Sequence, residues 1–328
     1  ARATPASEVA RARWLMGTLF TASARAVAPA DTAFVGAALD AALDTVAALE
    51  RRLSNWSRTS ELSRFNARSG GNDVSEPLAA VLDSAFRYAA LTHGAFDPTL
   101  GTLIDAWDLR GHGRVPDAAE LRTALLHSGW TRVERSAGYA LGGSRLDLGG
   151  IAKGFALDRA ASVLRARGVT DAALDAGGQW LHAARTDAPP CTVWVADPRD
   201  RDRPAVRLAF GAGSLSTSGQ SERFFEAGGR RYGHILDPAS GRPLATRASA
   251  SVLASSGTGA DALSTALLVL GHDGARAFAA AHPDVGVLWL EPAGGRVRAE
   301  AWNLDGVTAA PYVTLTRESL LPSLARNP

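Results

Sequence analysis

The sequence predicts an α+β protein, and three observations lead there. The chain has 328 residues, enough for one large domain or two lobes with a substantial core. Hydrophobic residues make up 46% and charged residues 21%, which is the balance of a globular chain and excludes a disordered one. Short runs with strand periodicity are mixed with runs of helical periodicity, with no strict strand–helix–strand alternation.

The elements follow in order. Residues 14–27 alternate small and apolar side chains and read as a strand broken near Met16-Gly17-Thr18. Residues 33–53 carry Phe34, Ala38, Ala41, Ala42, Val46, Leu49 and Leu53 at helical spacing. A polar loop, Ser54–Gly71, holds Trp56 and Phe65. Ser75-Glu76-Pro77 opens a second helix that runs to about Thr92, with Ser75 as N-cap and Gly94 as the stop. Residues 95–115 read as irregular, 117–127 as a helix and 130–148 as strands. A helix spans about 152–167, and strands are expected at 172–175, 192–196 and 205–210. The stretch 211–247 is rich in Gly, Ser, Arg and Pro and reads as a long loop, a length that is more often functional than not. A strand (249–254), two helices (259–270 and 274–281), a strand (285–290), further strands and a loose tail complete the chain.

Bulk properties exclude several classes. The formal charge of +2 gives no reason to expect nucleic acid. The single cysteine, Cys191, rules out an internal disulfide and a cysteine-rich metal site, and does not fix the redox compartment. No apolar run reads as a membrane span. The start, Ala1 to Glu8, is small and polar and reads as a mature N-terminus after signal removal or as a trimmed chain. The first reading is preferred, and it predicts an exported protein.

The segment richest in chemistry is Leu146-Asp147-Leu148-Gly149-Gly150-Ile151-Ala152-Lys153-Gly154. Glycines let backbone approach a ligand, and the helix start that follows offers unpaired N–H groups to an anion. The loop also brings a carboxylate and an ammonium. It is neither a dinucleotide fingerprint nor a Walker loop. By itself it is balanced between a phosphate ligand and a tight turn. Asp261 and Thr265, four apart on a helix, share one face and are hard oxygen donors suited to Mg²⁺ or Ca²⁺. Spacing alone favours an acid near a helix start. His234, in Tyr232-Gly233-His234-Ile235-Leu236-Asp237-Pro238, can serve as a general base or as a plain surface histidine. None of the seven histidines forms an H-x-x-x-H pair, and no Gly-x-Ser-x-Gly elbow is present.

Taken in order, these segments resemble the ApbE family, the FAD:protein FMN transferases. The matching segments are Met16-Gly17-Thr18, Leu53-Ser54-Asn55-Trp56-Ser57 and Ser60-Glu61-Leu62-Ser63-Arg64-Phe65-Asn66. Gly94-Ala95-Phe96-Asp97-Pro98-Thr99, the glycine loop and Asp158-Arg159-Ala160 come next. Thr217-Ser218-Gly219 with Glu222-Arg223-Phe224-Phe225, His234-Ile235-Leu236-Asp237-Pro238 with Gly241-Arg242-Pro243, and Ala260-Asp261-Ala262-Leu263-Ser264-Thr265-Ala266 complete the set. The resemblance covers about residues 14 to 290. Two positions depart from the pattern: Gln220, where Asp or Asn is frequent, and Gly233, where serine is common. A lipobox cysteine near the start is also absent from the sequence.

The resemblance implies a two-lobed fold of mixed and antiparallel sheets flanked by helices, with the FAD site in the cleft between the lobes. It implies transfer of FMN from FAD to a Ser or Thr hydroxyl of a target flavoprotein, with release of AMP. Asp261, Thr265 and the Ala152 carbonyl would hold Mg²⁺. His234 would be the general base, and Lys153 would assist with phosphate charge. Asp97 and Asp147 would hydrogen-bond the nucleotide, and Met16 and Trp56 would meet the flavin. Ala95, Phe96, Ser218, Gly219, Ile235 and Leu236 would complete the cofactor contacts. The expected organisation is a flexible segment over 1–13, one domain over 14–315 and a tail over 316–328. The expected setting is bacterial and periplasmic or otherwise extracytoplasmic, free or membrane-associated. The competing readings are an FAD pyrophosphatase giving FMN and AMP, and a flavin-binding protein without turnover.

Overall fold

A computed structural model describes residues 7–26, 31–71, 73–136, 138–185, 188–221 and 223–318. Its frame is a nine-stranded sheet. The strands are β1 (Ser7–Leu15), β2 (Thr18–Ala26), β3 (Ala172–Ala176), β4 (Trp180–Ala183), β5 (Gly213–Gly219), β6 (Ser249–Ala254), β7 (Gly286–Ala293), β8 (Arg296–Trp302) and β9 (Val313–Glu318). They lie side by side in chain order. Each neighbouring pair is antiparallel except β8–β9, which is parallel.

Seven α-helices are found among the described residues: α1 (Thr32–Leu53), α2 (Glu61–Ala67), α3 (Glu76–Leu91), α4 (Gly101–Ala106), α5 (Ala118–Leu126), α6 (Ala152–Ala166) and α7 (Gly257–Ala281). α1 buries Leu39, Leu43 and Val46 in one core with Phe20 and Ala22 of β2, Leu82 and Phe86 of α3, and Leu157 and Leu164 of α6. The other half of the sheet is covered on both faces. Val287 and Trp289 of β7 pack with Leu263 and Leu267 of α7. Leu288 and Leu290, on the opposite face, pack with Val193, Val206 and Leu208 of a small three-stranded sheet (Cys191–Asp197, Asp200–Phe210, Val307–Ala309). The alternation is the two-residue period of a strand buried on both sides. The two halves therefore share one sheet and carry separate cores.

Several local expectations are corrected. The strand expected over 14–27 is a hairpin of two strands. Met16 (φ 50) and Gly17 (φ 74) both sit in the left-handed region, which makes the two-residue turn whose twist suits a hairpin. Ser7–Leu15 pairs along its full length with β2, so residues 7–13 are strand where a flexible segment is expected. The span 130–148 is mostly loop, with a 3₁₀ turn at Trp130–Arg132 and a two-residue strand at Tyr139–Ala140. Gly138, Gly142 and Gly143, all at positive φ, interrupt the pairing. The span 211–247 contains β5 and two small hairpins, Phe224–Ala227 with Arg230–Gly233 and Leu236–Asp237 with Arg242–Pro243. α2 and α4 lie inside stretches read as loop. The two helices expected over 259–281 are present, joined through a break at Gly271 (φ 73, ψ −178). Residues 319–328, most of the expected tail, and Glu222 lie outside the described residues.

α1 is long and apolar enough to cross a membrane by length and composition, where the sequence reading found no such run. In the fold nine of its residues are buried, and it packs against α6, β1 and β2.

Candidate active site

The glycine loop is held by side chains distant in sequence. Asn66 of α2 pairs with Leu146 as a strand would, accepting from its N–H at 2.8 Å and donating to its carbonyl at 2.9 Å. Asn55 donates to the same carbonyl at 3.0 Å and accepts from the Leu148 N–H at 3.3 Å. The Asp147 N–H donates to the Pro98 carbonyl at 2.8 Å, which ties the loop to the segment carrying Ala95, Phe96 and Asp97. The Asp147 carboxylate accepts from the Gly149 N–H at 2.8 Å and pairs with Arg110. Asp97 is anchored in turn: it accepts from the Thr99 N–H at 2.8 Å, the Thr99 hydroxyl at 2.6 Å and the Trp130 N–H at 3.0 Å. Burial pushes its carboxyl above the ordinary range.

α6 starts where the loop ends, and α7 crosses it at the same place. Gly154 and Gly257 make the crossing close: a Cβ on Gly154 would overlap the Gly257 carbonyl. Asp158 of α6 caps α7, accepting from the Gly257 N–H at 2.7 Å and the Thr258 N–H at 2.8 Å. This crossing carries Asp261 to the loop, where it accepts from the Gly154 N–H at 3.0 Å. Asp261 is 5% exposed. Burial raises its carboxyl, opposed by the charge of Lys153. Thr265, one turn on, lies 3.2 Å from the Ser218 hydroxyl of β5. A Cβ on Gly150 would come within 3.1 Å of the Thr265 Oγ1, so the loop backbone abuts this hydroxyl.

His234 follows the hairpin strand Arg230–Gly233, and its Nδ1 lies 3.2 Å from the Arg223 carbonyl. Two neighbouring cavities share this histidine in their linings. The outer, about 620 Å³, is lined by Met16, Trp56, Asp147, Ala152, Lys153 and His234 among others. That is a size typical of cofactor sites. The inner, about 150 Å³, is lined by Ala95, Phe96, Asp97, Ser218, Gly219, Ile235, Leu236, Asp261 and Thr265. Asp147, Gly149, Lys153 and His234 line both. Every residue singled out in the sequence as a site residue thus lines one or the other of these two neighbouring cavities. Trp56 is 63% exposed at the rim of the outer cavity, with the Arg223 guanidinium 5.8 Å from the centre of its ring.

Sequence reasoning missed Glu50, Arg110 and Arg201. Glu50 holds the hairpin turn through the Met16 N–H at 2.8 Å, and both Glu50 and Arg201 line the outer cavity. Arg110 pairs with Asp147 and Asp105. No motif marks any of them, because their meaning depends on contacts made across the fold.

Among the described residues no three His, Cys, Asp or Glu side chains gather as a metal site. The oxygen set around Asp261 is of another kind: one carboxylate with a hydroxyl and nearby loop backbone. Hard oxygen donors of this type fit a small divalent cation that keeps part of its water.

Comparison with known proteins agrees with this geometry. A model of the ApbE family matches residues 16–289. The FAD:protein FMN transferase of Treponema pallidum is 35% identical over 325 residues, covering 92% of this chain and 89% of the relative. The solved ApbE protein of Thermotoga maritima superposes with a TM-score of 0.78 at 29% identity, over 89% of this chain and 96% of that one. The flavin transferase ApbE of Vibrio cholerae superposes with a TM-score of 0.75 at 28% identity, over 90% and 97% of the two chains. The match spans the hairpin turn at Met16, the glycine loop, the His234 hairpin and α7, which are the elements that build the cavity: the chain belongs to the ApbE family.

Proposed function

We propose that the chain is a FAD:protein FMN transferase that moves FMN from FAD to a Ser or Thr hydroxyl of a target flavoprotein and releases AMP. The observation that carries this reading is the convergence of His234, Lys153, Asp261 and Thr265 on one cavity that shares Lys153 and His234 with a wider cleft lined by Met16 and Trp56. The family's named transferases support it.

The roles follow from chemistry. His234 accepts the proton of the acceptor hydroxyl, whose oxygen bonds to the phosphorus of the FMN half. The bond from that phosphorus to the bridging oxygen breaks, and AMP leaves with that oxygen. Lys153, at the start of α6, sets its ammonium and the helix N–H groups toward phosphate charge. Asp261, Thr265 and the Ala152 carbonyl would hold Mg²⁺. Bound there, the ion supplies neutralisation of charge developing on the phosphoryl oxygens. Trp56 offers a ring face to the isoalloxazine. Met16, Ala95, Phe96, Asp97, Asp147, Ser218, Gly219, Ile235 and Leu236 line the path for the rest of FAD. An extracytoplasmic, bacterial setting belongs to the same reading; the bacterial source of the relatives supports its second part.

The test is incubation with FAD and Mg²⁺, with and without a flavoprotein acceptor, followed by mass spectrometry of protein and nucleotide. An acceptor heavier by an FMN adduct, with AMP in solution, is expected. Free FMN and AMP with an unmodified acceptor would make the protein a pyrophosphatase, and intact FAD would make it a binding protein. In the same assay His234→Ala is expected to lower transfer about 10²–10⁴-fold while FAD affinity stays within about twofold. Unchanged transfer would remove His234 from the role of base.

A further inference from the structure

We infer that Gln220 and Gly233 form a matched pair that positions His234. The inference rests on His234 being the general base. Gln220 follows β5 and is buried. Its Oε1 accepts from the Ile235 N–H at 3.1 Å, and its Nε2 donates to the Ile235 carbonyl at 2.8 Å and to the Leu244 carbonyl at 3.2 Å. The Leu244 N–H donates back to the Ile235 carbonyl at 2.9 Å. One carboxamide therefore clamps both backbone groups of the residue after His234 and the return limb of the hairpin behind it.

Gly233 completes the arrangement on the other side of His234. A Cβ there would overlap the Gln220 carboxamide, with Nε2 only 2.9 Å away. Gly233 is not among the glycines at positive φ, so its backbone does not demand glycine. The space taken by Gln220 does. A side chain at 233 and a clamped carboxamide at 220 exclude one another. Gln220, Gly233 and Leu244 also line a separate cavity of about 220 Å³. A displaced carboxamide has room there, so variants at these positions can fold with the clamp released. The His234 ring meets the Arg223 carbonyl, so the backbone position set by the clamp fixes where the imidazole faces the cleft.

The experiment compares Gln220→Ala, Gly233→Ala and the double variant in the transfer assay, with melting curves to verify folding. Each single change is expected to lower kcat about tenfold or more while the KM for FAD stays within about twofold, the response to a misplaced reacting group. The double variant is expected to be no worse than either single one, because both release the same clamp. Single variants within twofold of wild type, or a double loss equal to the product of the single losses, would overturn the pairing. Hydrogen exchange at the Ile235 amide gives a readout that needs no turnover: faster exchange in both single variants is expected, and unchanged exchange rejects the clamp. If wild type transfers no FMN, the functional reading falls, and exchange at Ile235 with the His234 ring resonances still decides whether the pair holds this histidine.

Discussion

In the proposed metal role, Asp261 sets stability against function. Its carboxylate is buried and is drawn above its usual titration range by that burial, with the Lys153 charge acting in the opposite direction. An acid raised in the folded state is stabilising while protonated, and that contribution is lost as pH rises through its folded value. Ionising this carboxyl in the metal-free fold is therefore a cost. Asp261→Asn keeps an oxygen for the Gly154 N–H and removes the charge. Without metal, the variant is expected to melt higher than wild type at pH 7, and Mg²⁺ is expected to raise the melting temperature of wild type but not of the variant. Differential scanning calorimetry with and without Mg²⁺ checks both; a lower melting point in the metal-free variant would refute the account. The shared face of Asp261 and Thr265 was legible in the sequence from their four-residue spacing, but that spacing alone favoured a plain acid near a helix start, and only the family resemblance implied a metal role. Asn66 and Gln220 were not legible as supports. Asn66 acts 80 positions away in the chain, and Gln220 acts on a hairpin 15 positions on, so neither leaves a local pattern.

At the scale of elements, the crossing of α6 and α7 decides the site. Alanine is favoured over glycine in a helix interior by about 1 kcal/mol. At Gly154 a methyl would overlap a backbone carbonyl and come within 2.8 Å of the Asp261 Cβ, so overpacking of about 1–3 kcal/mol or more wins. Gly154→Ala is expected to lower the urea midpoint and to weaken Mg²⁺ binding together; a stabilised variant would show that the crossing yields. The second half of α7 carries a pH-dependent contact. His272, just past the break at Gly271, lies edge-on to Trp289 and Trp302 and 3.1 Å from the Glu300 carboxylate. Burial lowers its affinity for a proton, but Asp273 and Glu300 outweigh that and leave it titrating above its ordinary value. Its stabilisation is full below the unfolded value and is lost as pH rises through the folded one. His272→Gln should therefore flatten the decline in melting temperature between about pH 5.5 and pH 8, within the range where histidine titrates. The longer helices were readable because amphipathic periodicity is local; α2 and α4, of seven and six residues, are too short to show it. The small hairpins over 224–243 were not, since strands of two to four residues carry too few alternations to register.

For the whole molecule, one sheet joins the core of the first half to the cores on both faces of the second, and the cavity draws on both halves. Met16, Trp56, Asp97 and Lys153 come with the first core; Ser218, His234, Asp261 and Thr265 come from the second half of the chain. A ligand in that cavity is held only when both halves are in place. FAD with Mg²⁺ at about 100 times its dissociation constant should add about 2.7 kcal/mol to folding stability, seen as one concentration-dependent shift of the whole melting curve. A shift confined to one of two resolved transitions would contradict the shared site. The α+β class was legible in composition and periodicity. The order of the nine strands was not, because strand neighbours are set by packing that no single segment encodes.

That order has a consequence for how the protein is made. Since the strands sit across the sheet in the sequence in which they are synthesised, a growing chain can add each one to the edge left by the last. The inner cavity has no floor until α7 docks on α6, and α7 begins only at Gly257. A nascent chain stopped short of that helix has its glycine loop and its tryptophan rim, but no Asp261 to close the space beneath them.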